Sequence, residues 1–422
     1  MYALVDCNSF FCAVERVFHP GLRDKPVCVL SNNDGCIVAL TPEAKRLGLH
    51  RGDPLFKVRD IVEHGGVTVF STNMPLYAAM SARVTAILRK SVLRVENYSI
   101  DESFCDLGGY ERLYDLEDYM RGVAEKIRLW TDIPVSVGIA PSKTLAKMGS
   151  KFAKQYRGYR SVCVIDTEAK RRRALELFPL ADVWGIGRRT LARLAYYGVD
   201  TPLAFAEKSE AWVRARFTKP GVQTWKELNG IPCIDTSEVQ RRQTICTSRS
   251  FGEMVESYDV LKESVVHFAA SCANKLRGQD SVARRVLVFV GSNAFREDLE
   301  QYGNAASVVL DPPTSDTLEI SSACMAALRQ IYRPGIMYKR AGVVLTELSP
   351  ALPLQLNLFD AIGNRRERMH LMRTIDALNR RYGVQSVHLA TDAAEPRPWH
   401  VRCEHKSGNY LTDLDEILMV CI

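Results

Sequence analysis

Residues 97–107 read Asn-Tyr-Ser-Ile-Asp-Glu-Ser-Phe-Cys-Asp-Leu, with Asp101 and Glu102 side by side between apolar and aromatic flanks. Adjacent carboxylates repel each other, and each costs free energy if buried without a partner. Along a regular strand neighbouring side chains point to opposite faces, so the two acids converge only where the chain bends. A β-hairpin tipped by Ser-Ile-Asp-Glu, with Val95–Tyr98 and Phe104–Leu107 as arms, meets that condition. A divalent cation would remove the repulsion, and hard oxygen ligands favour Mg²⁺. Asp6, which ends the apolar run Tyr2–Val5, is the expected further ligand from an opening strand beside the hairpin. On the dipeptide alone, a solvated turn with two surface acids is the commoner reading, because adjacent acids are common.

A chain of 422 residues exceeds one ordinary core, so two to four domains are expected. Hydrophobic residues make up 46% and charged residues 25%, as in a soluble globular protein. No apolar run approaches the roughly 18 residues of a membrane span, and the N-terminus lacks the basic start of a signal peptide, so a cytoplasmic protein is expected. The 12 cysteines are scattered without a Cys-x-x-Cys pair and read as small buried hydrophobes, not a disulfide frame. Of the net charge of +7, the informative part is local. Between Ile133 and Ile165 there is no acid, while Lys143, Lys147, Lys151, Lys154, Arg157 and Arg160 all fall inside. That is an anion-binding signal.

The pattern predicts strands at 26–30 and 36–40 joined by the Asn-Asp-Gly turn, then helices at 42–48, 76–92 and 111–130. A strand over 133–140 and a helix over 142–154 capped by Ser142 follow. Strands and helices interleave without strict βαβ repetition, which favours an α+β domain. Residues 168–230 read as almost wholly helical. Strands return at 244–250, 285–290, 306–310 and 342–346, with helices near 257–277 and 316–332, and the chain from 350 onward reads as looser. Lys143, Lys147, Lys151 and Lys154 lie within about 80° of one another on a helical wheel. Like charges so placed weaken a helix slightly, which suggests a phosphate-bearing partner, with a solvated lysine face as the alternative. Carboxylates for metal and lysines for phosphate describe phosphoryl or nucleotidyl transfer. The Gly-Ile-Gly turn at 185–187, followed by Arg188 and Arg189, offers backbone N–H groups to a nucleic-acid phosphate; an ordinary helix joint would look the same.

Five segments, DCNSFFCAVERVFHPGLRDKPVCVLSNNDGCIVAL, YSIDESFCDL, VSVGIAPSKTLAKMGSKFAK, ADVWGIGRRTLARL and QLNLFD, occur in this order. In them the chain resembles the Y-family translesion DNA polymerases, and within these the UmuC-type catalytic subunits of bacterial DNA polymerase V. The resemblance runs from residue 2 to about 360 and more weakly to the end. It implies an α+β multidomain, right-hand polymerase architecture: palm from 1–11 and 77–166, small fingers from 12–76, helical thumb with a helix-hairpin-helix from 167–235, α/β little finger from 240–348, and a C-terminal clamp- and partner-binding region from 349–422.

The resemblance also implies roles. Asp6, Asp101 and Glu102 would be the catalytic carboxylates, with the main-chain carbonyl of Cys7 as a further contact to two Mg²⁺ ions. Phe11 would be the steric gate against a ribose 2′-hydroxyl; tyrosine is common there, so a hydroxyl is lost while ring bulk remains. Phe10, Lys45 and Lys154 would bind the triphosphate. Lys45 stands where many relatives carry arginine, which weakens any bidentate contact. Gly185, Gly187 and Arg188 would meet the DNA backbone. The little finger carries 13 Lys and Arg against 12 Asp and Glu over 240–350, so its grip on DNA rests on where charges sit.

Gln355, Leu358 and Phe359 resemble the sliding-clamp peptide, a compact anchor able to fill an apolar groove. Residues 361–422 correspond to the tail that takes part in assembly with a UmuD-type accessory dimer and a RecA filament. The run WHVRCEH at 399–405 has odd spacing and no fourth ligand, which argues against a metal site. The expected function is error-prone translesion DNA synthesis on primer-template DNA with dNTPs in the SOS response, in the cytoplasm and at the nucleoid when active, with no membrane partner. Competing readings are a nucleotide cyclase and a noncatalytic DNA- and clamp-binding regulator of replication.

Overall fold

The structure is a computed structural model that describes residues 1–236, 241–351, 364–383, 386–390 and 399–418. The described residues fall into two compact units, divided near residue 240, with the chain from Glu404 onward returning to the first unit.

The first unit contains strands β1 (Tyr2–Cys7), β2 (Val27–Leu30), β3 (Ile37–Leu40), β4 (Thr68–Ser71), β5 (Arg94–Asn97), β6 (Glu102–Asp106), β7 (Val135–Ala140) and β8 (Val162–Val164). Five of them make one sheet in the order β5-β6-β1-β7-β8, antiparallel except for the β7–β8 pair. The central strands β1 and β7 read Tyr-Ala-Leu-Val-Asp-Cys and Val-Ser-Val-Gly-Ile-Ala, apolar on both faces, and both faces are covered. Helices Met74–Ser91 and Leu116–Thr131 bury Tyr77, Met80, Leu88, Met120 and Ile127 with one face of the sheet. Helix Lys143–Gln155 closes the other, burying Leu145, Met148 and Phe152 with Leu4 and Phe104.

Gly138 makes this last packing possible. A Cβ there would lie 2.0 Å from the Ala146 carbonyl oxygen and 2.1 Å from the Ser150 nitrogen. Only a strand lacking that atom lets the helix backbone lie directly on β7. The Ser142 hydroxyl accepts from the Leu145 N–H at 3.4 Å and starts the helix where the sequence predicts it.

A small three-stranded sheet, β3-β2-β4, carries its own core of Cys28, Leu30, Ile37, Leu40, Leu49 and Val62. The Asn-Asp-Gly segment links the antiparallel pair β2 and β3, as its turn chemistry requires, with Asn33 at φ 62°. Residues 168–228 form the helices Glu168–Leu177, Arg188–Tyr196, Pro202–Ala206, Glu210–Arg216 and Lys219–Leu228.

The second unit is a four-stranded antiparallel sheet of β9 (Ile245–Val255), β10 (Ser281–Ser292), β11 (Gly303–Thr314) and β12 (Tyr338–Pro350), in the order β11-β10-β12-β9. Helices Tyr258–Arg277 and Thr317–Ile331 cover one face. The strands run well beyond their apolar cores. Their polar outer residues alternate with buried ones, and the pairing, not hydrophobicity, carries the ladder to its ends.

One element departs from the expectation of a loose region after 350: Arg365–Tyr382 is a helix of 18 residues. It is held by ions in place of a large apolar face. The Arg277 guanidinium donates to both oxygens of Asp376 at 2.7 Å, and Arg368 donates to both oxygens of Asp316 at 2.8 Å.

Candidate active site

Register puts the three acids together. Asp6 on β1 pairs with Glu102 on β6, and the Cys7 N–H donates to the Asp101 carbonyl at 2.9 Å. The hairpin closes as expected in kind, but its first arm ends one residue earlier, at Asn97, and its second begins two residues earlier, at Glu102: Tyr98 and Ser99 N–H groups both donate to the Glu102 carbonyl. Asp101 is thus the last turn residue and Glu102 the first strand residue. That offset is the bend that two adjacent carboxylates need.

Ser99 fixes the turn. Its hydroxyl donates to Asp101 Oδ1 at 2.6 Å and accepts from the Asp101 and Glu102 N–H groups at 3.3 and 3.1 Å. Sequence reasoning missed this residue, although a serine two before an aspartate in a turn is a recognisable local cap.

Each lysine of the stripe pairs with an acid of this chain. Lys154 Nζ pairs with Asp6 at 2.9 Å and Lys147 Nζ with Glu102 at 2.6 Å. Lys143 is buried against Glu96 and donates to Thr236 at 2.9 Å, and Lys151 meets Asp182 at 2.5 Å. Lys147 also lies 4.5 Å from the Tyr98 ring centroid and 5.5 Å from that of Trp184, whose indole N–H donates to the Tyr98 hydroxyl at 3.1 Å. Tyr98 and Trp184 were likewise not singled out, since nothing local in the sequence joins them. Burial pushes the Asp6 carboxyl above its ordinary range, and Lys154 pulls it back. Desolvation drives the Cys7 thiol far above its ordinary range, so the side chain stays a neutral thiol and only the main chain offers an acceptor.

Asp6, Asp101 and Glu102 offer hard carboxylate oxygens at one end of a sheet, the donor type suited to Mg²⁺. Among the described residues no three His, Cys, Asp or Glu side chains are already gathered as a metal cluster. Asp6 and Glu102 point to lysines, so a cation here would take carboxylates that the ammonium groups now neutralise.

Phe11 is half-buried, and its ring stacks on Tyr77 at 4.5 Å with an interplanar angle of 16°. The Phe10 ring is 3% exposed and belongs to the core. The main-chain N–H of Phe10 lies at the start of helix Phe10–Phe18. Lys45 is exposed on the short helix Pro42–Arg46, away from the acid–lysine pairs in sequence and in hydrogen bonding. In the Gly-Ile-Gly turn, Gly185 has φ 92° and a Cβ there would lie 2.2 Å from the Thr224 hydroxyl, while Ile186 is buried. Gly187, Arg188 and Arg189 are exposed at the start of helix Arg188–Tyr196. Gln355, Leu358 and Phe359 lie outside the described residues.

Comparison with known proteins places the chain in a family. Residues 5–151 match the impB/mucB/samB family, residues 242–358 its C-terminal domain, and residues 369–420 a domain of unknown function, DUF4113. The chain is 40% identical to Protein UmuC of Salmonella typhimurium over 100% of both chains, and 39% identical to Protein ImpB of Salmonella typhimurium over 99% of both. It is 28% identical to DNA polymerase IV of Moorella thermoacetica, over 92% of this chain and 94% of that one. Among solved structures, a Dbh–Dpo4 Y-family DNA polymerase chimera covers 84% of this chain and 99% of its own with a TM-score of 0.64 at 20% identity, a likeness of fold. The chain belongs to the impB/mucB/samB family and is a UmuC-type member of the Y-family DNA polymerases.

Proposed function

We propose that the chain is a template-directed, error-prone DNA polymerase that extends a primer past damaged bases. The observation that carries this reading is the pairing of Asp6 opposite Glu102, with Asp101 at the adjoining turn and Lys147 and Lys154 on the two strand acids. Three carboxylates and two ammonium groups at one sheet end suit a substrate that brings both divalent cation and triphosphate. Asp6, Asp101, Glu102 and the Cys7 carbonyl would hold two Mg²⁺ ions, which when bound lower the pKa of the primer 3′-hydroxyl and neutralise the leaving pyrophosphate.

The residues themselves then have separable tasks. Lys154 exchanges Asp6 for a triphosphate oxygen, and the Phe10 N–H adds a donor there. Lys147, packed between Tyr98 and Trp184, balances Glu102 and keeps the hairpin tip against the sheet. Ser99 orients Asp101. Phe11, braced by Tyr77, fills the space that a ribose 2′-hydroxyl would take. Lys45 offers a point charge to the same triphosphate.

In this reading residues 1–11 and 77–166 are the palm, 12–76 the fingers, 167–235 the thumb and 240–348 the little finger. Gly185, Gly187 and Arg188 contact the DNA backbone. Gln355, Leu358 and Phe359 bind a sliding clamp, and the region 349–422 assembles with a UmuD-type dimer and a RecA filament in the SOS response, in the cytoplasm at the nucleoid. The function is tested by primer extension on a template with an abasic site, with and without RecA filament and accessory dimer. Extension that stops in EDTA and returns with Mg²⁺ is expected; no extension under any of these conditions would refute the reading.

A further inference from the structure

The last described segment of the chain folds back on the first unit and reaches a buried polar cluster there. Its backbone extends the end of β4: the Ser71 N–H donates to the His405 carbonyl at 2.9 Å, and the His405 N–H donates to the Ser71 hydroxyl at 3.0 Å. The Glu404 N–H donates to Asp34 at 2.8 Å. The fully buried Asn73 then clasps the segment, its amide donating to the Ser407 and Gly408 carbonyls at 2.9 and 3.2 Å. Tyr410 packs its ring 5.1 Å from that of Phe18.

Between these anchors the Ser407 hydroxyl reaches inward. It donates to Glu15 Oε1 at 3.0 Å, and the Tyr77 hydroxyl donates to the same oxygen at 2.6 Å. Glu15 and Tyr77 are both wholly buried, and Glu15 Oε2 has no hydrogen-bond partner among the described residues. A buried carboxylate costs free energy in proportion to what it lacks, so one with a bare oxygen depends heavily on its two hydroxyl donors. Glu15 lies one helical turn beyond Phe11, and the face of Tyr77 is the surface on which the Phe11 ring stacks. The serine of the tail, the carboxylate, the phenol and the Phe11 ring therefore form one connected column.

We propose that Ser407, Glu15 and Tyr77 are positioning residues for the sugar gate, so that the C-terminal segment helps decide which nucleotide sugar the polymerase accepts. This rests on the reading of Phe11 as the gate. Phe11 lacks a hydroxyl of its own to hold its ring in place, and its position is set by the surface beneath it. The bond from Glu15 sets the tilt of Tyr77, and the bond from Ser407 sets that of Glu15. Losing either donor lets the carboxyl turn toward the remaining one and shifts the ring that supports Phe11. The role falls inside the stretch that matches the domain of unknown function.

The test compares insertion of dNTPs and rNTPs opposite the same template base by the full chain, with the accessory proteins that its activity requires. The variants are Phe11→Ala, Ser407→Ala, Tyr77→Phe and Ser407→Thr. Phe11→Ala is expected to lower sugar discrimination most. Ser407→Ala and Tyr77→Phe are expected to lower it roughly five- to tenfold, as for loss of one ordinary hydrogen bond, while Ser407→Thr, which keeps the donor, retains it. If Phe11→Ala relaxes discrimination but Ser407→Ala and Tyr77→Phe do not, the gate stands and the positioning role is refuted. The same holds if both variants slow dNTP and rNTP insertion equally, as a merely structural clasp would. If Phe11→Ala leaves discrimination unchanged, the gate reading itself falls and takes this inference with it.

Discussion

Lys154 and Lys147 hold equivalent places on one helix, yet their environments separate their roles. Lys154 is 39% exposed and, among the described residues, pairs with Asp6 as its one acid, whereas Lys147 is 21% exposed and wedged between two aromatic rings. The more exposed ammonium is the one suited to change partners when a triphosphate arrives. Lys154→Ala is therefore expected to raise KM for the incoming nucleotide about tenfold, the loss of one charge-assisted hydrogen bond, with a smaller change in kcat. Steady-state single-nucleotide insertion measures both. An unchanged KM would show that Lys154 serves only to neutralise Asp6. Asp101 and Glu102 stood out as adjacent carboxylates between apolar flanks, but the dipeptide alone favoured a solvated turn, and only motifs elsewhere in the chain pointed to a site there. Asp6 was legible only as a strand end. The aromatic cradle of Lys147 was not, because it joins residues 98, 147 and 184 through packing that no local pattern encodes.

At the scale of elements, the helix Lys143–Gln155 delivers both lysines, and Gly138 sets how closely it lies on the sheet. Gly138→Ala would place a methyl group inside the helix backbone. Overpacking of this kind typically costs about 1–3 kcal/mol, and the upper end or beyond is expected where backbone is struck. The denaturation midpoint should fall accordingly, and polymerase activity should fall more than the stability loss alone explains because the lysines shift with the helix.

The helix Arg365–Tyr382 depends on ions. Burial pushes the Asp376 carboxyl up, but hydrogen bonds from Arg277 and Asn274 outweigh it and hold the group below its ordinary range. A depressed carboxylate stabilises the fold above its unfolded pKa of about 3.9 and loses that contribution as pH falls through the folded value. Breaking a buried pair by removing one partner costs about 3–5 kcal/mol. Asp376→Asn is therefore expected to speed amide exchange across residues 365–382 at pH 7, and in the wild type the same exchange should rise only below about pH 4. Exchange equal to the wild type at pH 7 would contradict the ionic anchoring. This helix escaped the sequence reading because its pattern is dominated by arginine, and a helix held by buried ion pairs lacks the apolar stripe by which helices are recognised.

Across the whole molecule, most strands of the five- and four-stranded sheets, the β2–β3 pair of the small sheet and the helical stretch 168–228 followed from hydrophobic periodicity, turn residues and caps. The α+β class was readable that way, whereas the short strands Thr68–Ser71 and Val162–Val164 were not. What was not readable is the return of the chain to its start. Ser407 and Glu15 are 392 residues apart in sequence and meet through single polar contacts. Neither residue advertises a partner. Such contacts arise from the shape of an already folded surface, so they surface only once the fold is built.

The central claim is that the sheet end bearing Asp6, Asp101 and Glu102 performs nucleotidyl transfer. Single-turnover insertion of one dNTP, with Asp6→Asn, Asp101→Asn and Glu102→Gln proteins freed of other polymerases and shown to fold by their unfolding transitions, tests it most directly. A loss of at least about 10³-fold in rate is expected for Asp6→Asn and Asp101→Asn, the scale for removing a group that stabilises charge in the transition state. Folded Asp101→Asn protein that inserts nucleotide at the wild-type rate would contradict the assignment.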